Sequence, residues 1–260
     1  MDFKHILYEK KGKIAFITLN RPDKLNALSA LMFQELEQAW DDFRQDEGSW
    51  VAVVTGSGDE AFCGSIVDYR DMMGPSGPTM RRPEDFRWTA RQQEIYKPVV
   101  TAVNGLCSGG GFHFVADSDI VICSENATFY DDHVEHGNVA SWEPIGMSRR
   151  VPLGTVLRMF LLGSSEVITA QRALEMGIVS EVTPLSKLRS RATKLAEIIA
   201  EKAPLAVRGT LESTWRGLNV GLRDALYQGH YILMSNWATE DNKEGIKAFF
   251  QKRRPQWKGK

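Results

Sequence analysis

The sequence predicts an α/β fold, a spiral core of strand, strand and helix units followed by a helical C-terminal subdomain. Two apolar runs, residues 50–55 and 98–103, read as buried strands about one such unit apart. Each is followed by a glycine-bearing turn, Gly56-Ser57-Gly58 and Gly109-Gly110-Gly111. From about Pro204 onward the residues carry only helical patterns. The expected division is a spiral α/β core over 1–203 and a helical subdomain over 204–260, acting as lid or oligomer interface.

Ile14–Leu19 alternates weakly and reads as the first clear strand. The turn-rich Asn20-Arg21-Pro22-Asp23-Lys24-Leu25-Asn26 follows. Ser29 has the chemistry of an N-cap for a helix to about Arg44, with Leu31, Phe33, Leu36 and Trp40 near helical spacing. Residues 72–83 hold two Gly, three Pro, one Ser and one Thr, a composition suited to a loop that covers a site. Residues 84–96 read as a helix, with Pro98 beyond its end. Residues 119–123 and 127–130 read as short strands. Helical patterns then occupy 152–162, 169–176 and 186–201, and Trp215, Leu218, Leu222 and Leu226 form an apolar stripe further on.

Composition bounds the partners. The 260 residues are 43% apolar and 25% charged, with a formal net charge of −1. No charge excess points to nucleic acid or to a membrane surface. The basic clusters Arg81-Arg82, Arg149-Arg150 and Lys252-Arg253-Arg254 read as solvated faces. Cys63, Cys107 and Cys123 are odd in number and irregular in spacing, which favours a reducing compartment. No apolar run has the length of a membrane span, and Met1-Asp2-Phe3-Lys4 does not start a signal peptide, so a cytoplasmic protein is expected.

The most informative stretch is Asn104-Gly105-Leu106-Cys107-Ser108-Gly109-Gly110-Gly111-Phe112-His113. Glycines between a strand and a helix leave backbone N–H groups open to a ligand, and a helix start adds partial positive charge. That combination suits a developing oxyanion. The spacing matches neither a phosphate loop nor a dinucleotide fingerprint. His113 lies one helical turn past Gly110 and can share its face.

Several motifs together resemble the crotonase (enoyl-CoA hydratase/isomerase) family. They are Asn20-Arg21-Pro22-Asp23-Lys24-Leu25-Asn26-Ala27-Leu28-Ser29, Ala61-Phe62-Cys63-Gly64-Ser65, the glycine stretch and Asp117-Ser118-Asp119-Ile120. Ala170-Gln171-Arg172-Ala173-Leu174-Glu175-Met176-Gly177-Ile178-Val179 and the ending from Glu244 to Pro255 continue the likeness. The resemblance spans essentially the whole chain. It implies a crotonase-like spiral core of ββα units and assembly as homotrimers or dimers of trimers. It implies acyl-CoA thioester substrates and no cofactor beyond the coenzyme A of the substrate.

The resemblance also implies site residues. Gly110 would give one oxyanion-hole N–H and Ile66 the other, or Val67 if the loop register shifts by one residue. Lys24, Asn26 and Ala27 would lie near the CoA adenine and phosphates, with Phe249 and Lys252 contributed by the C-terminal helix. Hydratases of the family carry two glutamates that hold and deprotonate a water. His113 and His133 stand at those positions here.

Two histidines beside an enolate-stabilising hole can exchange protons at neutral pH. Asp131, Asp132 and Glu135 flank His133 and can raise its pKa and fix its tautomer. In Ser141-Trp142-Glu143-Pro144, Glu143 is a candidate general base and Trp142 a candidate wall of the acyl pocket, with Tyr130 and Phe112. The bland alternatives are a core histidine at 113, a polar loop residue at 133 and ordinary helix-start chemistry at 141–144. His133 and His136 do not complete a three-ligand spacing, so no metal is expected. Two other functions stay open: hydrolytic carbon–carbon cleavage of a cyclic β-dicarbonyl, and a non-catalytic protein that binds acyl-CoA or a partner.

Overall fold

A computed structural model describes residues 2–64, 73–74, 77–78 and 82–260. Its larger sheet has six strands in the order β1-β2-β3-β7-β9-β12. These are β1 (Ile6–Lys11), β2 (Ile14–Leu19), β3 (Val51–Gly56), β7 (Val99–Val103), β9 (Ile120–Ser124) and β12 (Glu181–Thr183). Only β1 and β2 pair antiparallel; the other neighbours in this sheet are parallel. A four-stranded sheet runs β11-β10-β8-β4, from Ile168–Thr169, Thr128–Tyr130, Leu106–Ser108 and Ala61–Cys63. A two-residue pair, β5 (Met73–Gly74) and β6 (Gly77–Pro78), stands apart.

The apolar runs form the central strands because both faces of the larger sheet are covered. Along β3, Ala52 and Val54 enter one hydrophobic cluster, and Val51 and Val53 enter another on the opposite face. The second cluster is closed by Leu188, Ala192 and Ala196, at helical spacing on α6 (Leu185–Ala200). The first holds Met32, Leu36, Trp40 and Phe43 of α1 (Ala30–Gln45). Ser29 caps α1 as expected, its Oγ accepting from the Met32 N–H at 3.2 Å. Leu31 does not join the stripe; it is exposed, and Met32 takes the inward position. Buried Glu35 on α1 accepts from the backbone N–H groups of Lys4, His5 and Ile6 at 2.8, 2.8 and 3.1 Å, tying down the start of β1.

Two expectations need correction. Residues 84–96 form no α-helix but a 3₁₀ turn at Pro83–Asp85 followed by turns. Glu94 has φ 55°, a left-handed conformation that ends any helical run there. Within the glycine stretch, Leu106–Ser108 is a strand, not part of the turn. Of the covering loop expected at 72–83, half lies outside the described residues.

Of the short helices, α2 (Gly111–Asp117) packs on β8 and α5 (Ala170–Met176) on β10 and β11, while α3 (Trp142–Met147) packs on α2 and on α4 (Leu153–Leu162). Beyond α6 come α7 (Pro204–Gly217), α8 (Leu222–Trp237) and α9 (Glu240–Phe250). None of the residues of α8 is buried. Trp215 does not share an exposed stripe with Leu222 and Leu226: its indole Nε1–H donates to Asp119 Oδ1 at 2.8 Å.

Candidate active site

The smaller sheet positions the site. Strands β4, β8 and β10 are mutually parallel, so their C-terminal ends meet at one edge. β8 runs into Gly109–Gly110–Gly111, and β10 runs into Asp131, Asp132 and His133. β4 leads through Gly64 to Ile66 and Val67, both outside the described residues.

Packing requires the glycines. Gly109 has φ 48°, and a Cβ on Gly111 would stand 2.9 Å from Cys107 Sγ. A Cβ on Gly110 would stand 2.5 Å from Leu28 Cδ1. The Gly110 N–H takes no backbone partner among the described residues. Asn104 fixes the approach to β8: its amide donates to Gly58 O at 2.7 Å and its carbonyl accepts from the Gly56 N–H at 3.0 Å.

His113, His133 and Glu143 converge from α2, the end of β10 and α3. The His113 ring stands with Nε2 3.1 Å from Glu143 Oε1, both side chains nearly buried. His133 Nε2 lies 3.9 Å from the same oxygen. The other face of His133 is held by fully buried Asp131: Nδ1 is 2.8 Å from Oδ2, and the backbone N–H donates to Oδ1 at 3.1 Å. Of the flanking acids, Asp131 is thus the partner of His133. Asp132 faces His136 at 3.4 Å, and Glu135 accepts from Ser164.

This arrangement splits the titrations of acid and base. The Asp131 hydrogen bond raises the His133 pKa above its ordinary 6.5, against the opposing effect of burial. Burial alone would push the Glu143 carboxyl up, but the His113 hydrogen bond and the nearby imidazoles hold it below its ordinary 4.5. The result is a carboxylate set to accept a proton beside an imidazole that retains one.

Aromatic side chains wall the cluster. The Trp88 indole meets His113 edge-on at 4.8 Å, and Phe86 stacks on Trp142 at 4.4 Å. Beside them a cavity of about 270 Å³ is lined by His113, Trp142, Gln92, Tyr96, Arg149 and Trp215, among others. Trp142 therefore borders open space. Phe112 does not. It is fully buried against Phe129 and Phe160, because its place on α2 points into the core while His113 points away. Tyr130 is half-buried.

The expected CoA residues separate. Asn26 is fully buried and its amide is already engaged: Nδ2 donates to Ser57 O and Ala61 O, and Oδ1 accepts from the Arg21 N–H. The side chain thus ties the turn to the sheet and has no free donor for a ligand. Ala27 is buried, whereas Lys24, Phe249 and Lys252 are exposed. Among the described residues, no group of three or more His, Cys, Asp or Glu is arranged to hold a metal ion.

Sequence reasoning missed Gln92, Trp88 and Phe86. They lie in the segment read as a helix, and only the spacing of that false helix was visible.

The model for enoyl-CoA hydratase/isomerase matches residues 9–260. The chain belongs to the enoyl-CoA hydratase/isomerase family. The match agrees with the strand-to-helix glycine turn and the spiral of parallel strands. Among similar family members, the (E)-benzylidenesuccinyl-CoA hydratase of Thauera aromatica is 32% identical over 259 residues, covering 98% of this chain and 99% of that one. The short-chain-enoyl-CoA hydratase of Clostridium acetobutylicum is 30% identical, covering 98% and 97%. An enoyl-CoA hydratase/isomerase from Mycobacterium paratuberculosis superposes with a TM-score of 0.90 at 42% identity, with both chains covered in full. The protein is thus an enzyme of the enoyl-CoA hydratase/isomerase family, with a crotonase-type fold. No helix among the described residues is long and apolar enough to cross a membrane.

Proposed function

We propose that this enzyme hydrates an α,β-unsaturated acyl-CoA, with Glu143 as base and His133 as acid. The observation carrying this reading is the shared Glu143 oxygen, 3.1 Å from His113 Nε2 and 3.9 Å from His133 Nε2. The thioester oxygen sits on the Gly110 N–H and, by the family pattern, on the N–H of Ile66 or Val67. Glu143 removes a proton from water as its oxygen bonds to Cβ. The carbon–carbon π pair moves toward the thioester, giving an enolate held in the hole. His133 then delivers its Nε2 proton to Cα. Glu143 returns the water proton to His133, which restores both groups. His113 holds Glu143 in place by its hydrogen bond.

The aromatic wall of Trp142 and Phe86 and the adjoining cavity favour a bulky, ring-bearing acyl group. Tyr130, half-buried at the end of β10, is a further candidate for the acyl pocket. Lys24 and Lys252 are candidates for CoA phosphates, with Ala27 and Phe249 near the nucleotide. Residues 204–260 are read as the helical subdomain through which three copies associate, singly or as two stacked trimers. Coenzyme A enters as part of the substrate, and no other cofactor is invoked.

The test is incubation with crotonyl-CoA and a panel of cyclic and aromatic enoyl-CoAs in deuterated water, following mass and α-proton exchange. A water adduct carrying one deuterium at Cα is expected for at least one member. No adduct and no exchange across the panel, with CoA still bound, would overturn the reading and favour a binding role.

A further inference from the structure

The segment 86–93 holds a chain of hydrogen bonds that ends on His113. Buried Trp40 donates its indole N–H to Trp88 O at 2.8 Å. The Trp88 N–H donates to Gln92 Oε1 at 2.8 Å. Gln92 Nε2 lies 3.1 Å from His113 Nδ1. Thr89 braces the same turn, accepting from the Gln92 N–H at 3.3 Å and donating to half-buried Asp117 at 2.6 Å.

Donor and acceptor chemistry gives this chain one direction. A backbone N–H can only donate, so the amide atom facing Trp88 is the oxygen. The remaining amide atom is then the NH₂, which can only donate. His113 Nδ1 must therefore accept and carries no proton. The ring proton belongs on Nε2, where it donates to Glu143 Oε1 at 3.1 Å. Among the described residues, the charged groups about the ring are Glu143 on α3, Asp117 one turn along α2, His133, and Arg91 and Arg149 on the same cavity wall. Among the described residues, Glu143 and Gln92 make the contacts to the ring nitrogens.

We infer that Gln92 is a positioning residue that locks His113 as the neutral Nε2–H tautomer, so that His113 orients Glu143 and does not itself shuttle protons. Protonation of Nδ1 would set two donors against each other, and the opposite tautomer would set a lone pair against the Glu143 carboxylate. The second consequence concerns turnover. With Oε1 engaged by His113, the Oε2 atom of Glu143 is the one left for water. This inference rests on the assignment of Glu143 as base, but the tautomer is measurable without turnover.

The experiment is ¹⁵N NMR of the whole protein labelled at histidine, with H113N to assign the resonance, in wild type, Q92M and Q92E. Wild-type His113 is expected to show a protonated Nε2 and an unprotonated Nδ1 at neutral pH. Q92M keeps the volume but removes the donor, and is expected to give mixed tautomers. Q92E presents a carboxylate to Nδ1 and is expected to give a doubly protonated ring. On any enoyl-CoA that wild type processes, Q92M should lose about tenfold in kcat with KM little changed. A wild-type ring protonated on Nδ1 at neutral pH would overturn the inference. So would Q92M and Q92E rings identical to wild type. A purely packing role predicts a wild-type spectrum in Q92M. Failure of the hydratase reading would appear separately, as absence of turnover with the tautomer intact.

Discussion

The inner sheet and the C-terminal helices treat apolar side chains in opposite ways. On α1, Trp40 and Phe43 are fully buried by neighbours from the same chain. On α8, Leu222, Leu226 and Tyr231 are 77%, 66% and 71% exposed, and α9 adds Phe249 and Phe250 at 79% and 78%. Single exposed leucines are ordinary, but this concentration on two helices is the feature on which the proposed association of copies rests. The core draws on one chain, and the proposed assembly would cover the helical end. Stability and assembly should therefore respond to different residues.

Substitutions can pull this contrast apart. The largest effect belongs to the site that the core supports. E143Q keeps shape but removes the base, and should lower kcat by about 10²–10⁴ on any processed enoyl-CoA. Rates within threefold of wild type would reject Glu143 as base. Next comes W40A, which empties a fully buried site and should cost about 3–5 kcal/mol, read from urea unfolding. A cost under 1 kcal/mol would mean that the buried face of α1 contributes little to stability. The double change L226E/Y231E should leave the chain folded, with under about 0.5 kcal/mol lost from each protomer, yet reduce its mass in light scattering to that of one chain. Unchanged mass would place the interface elsewhere.

A smaller effect sharpens the acid–base pair. On the proposed mechanism Glu143 must be ionised, and its pKa lies below 4.5, so activity is expected to fall as pH drops through that lower value. On the same mechanism His133 must be protonated, and its pKa lies above 6.5, so activity is also expected to fall as pH rises through that higher value. D131N removes the main cause of the His133 shift, so the alkaline limb should move down toward 6.5 while the acid limb stays. Movement of the acid limb alone would reverse the assignment.

Much of the fold was legible because its strands are buried on both faces and read as unbroken apolar runs. Helix α1 was legible from its cap and spacing, although the inward residue was Met32 and not its neighbour Leu31. Residues 84–96 were not legible. Their conformation depends on distant partners: Arg91 pairs with Asp119 and donates to Ile95 O, and Trp88 receives the Trp40 indole. No local pattern encodes those contacts. His113, His133 and Glu143 were each visible as candidates, but their meeting was not. It depends on the parallel pairing of β8 and β10, which brings the segment after each strand to the same edge. Phe112 was misplaced for a related reason, since adjacent residues of a short helix face different ways.

Three cysteines, two on the smaller sheet and Cys123 on β9 of the larger, give the core a built-in clock. Cys63, Cys107 and Cys123 are all free and buried, and desolvation pushes the Cys63 and Cys123 thiols up to about 12. A thiol so shielded is inert until the structure around it opens. Cys107 lies on β8, directly before the glycine turn, and pairs in register with Cys63 on β4. The rate at which Cys107 takes up a thiol reagent therefore measures how often the strand beneath the glycine turn comes loose, without any substrate present.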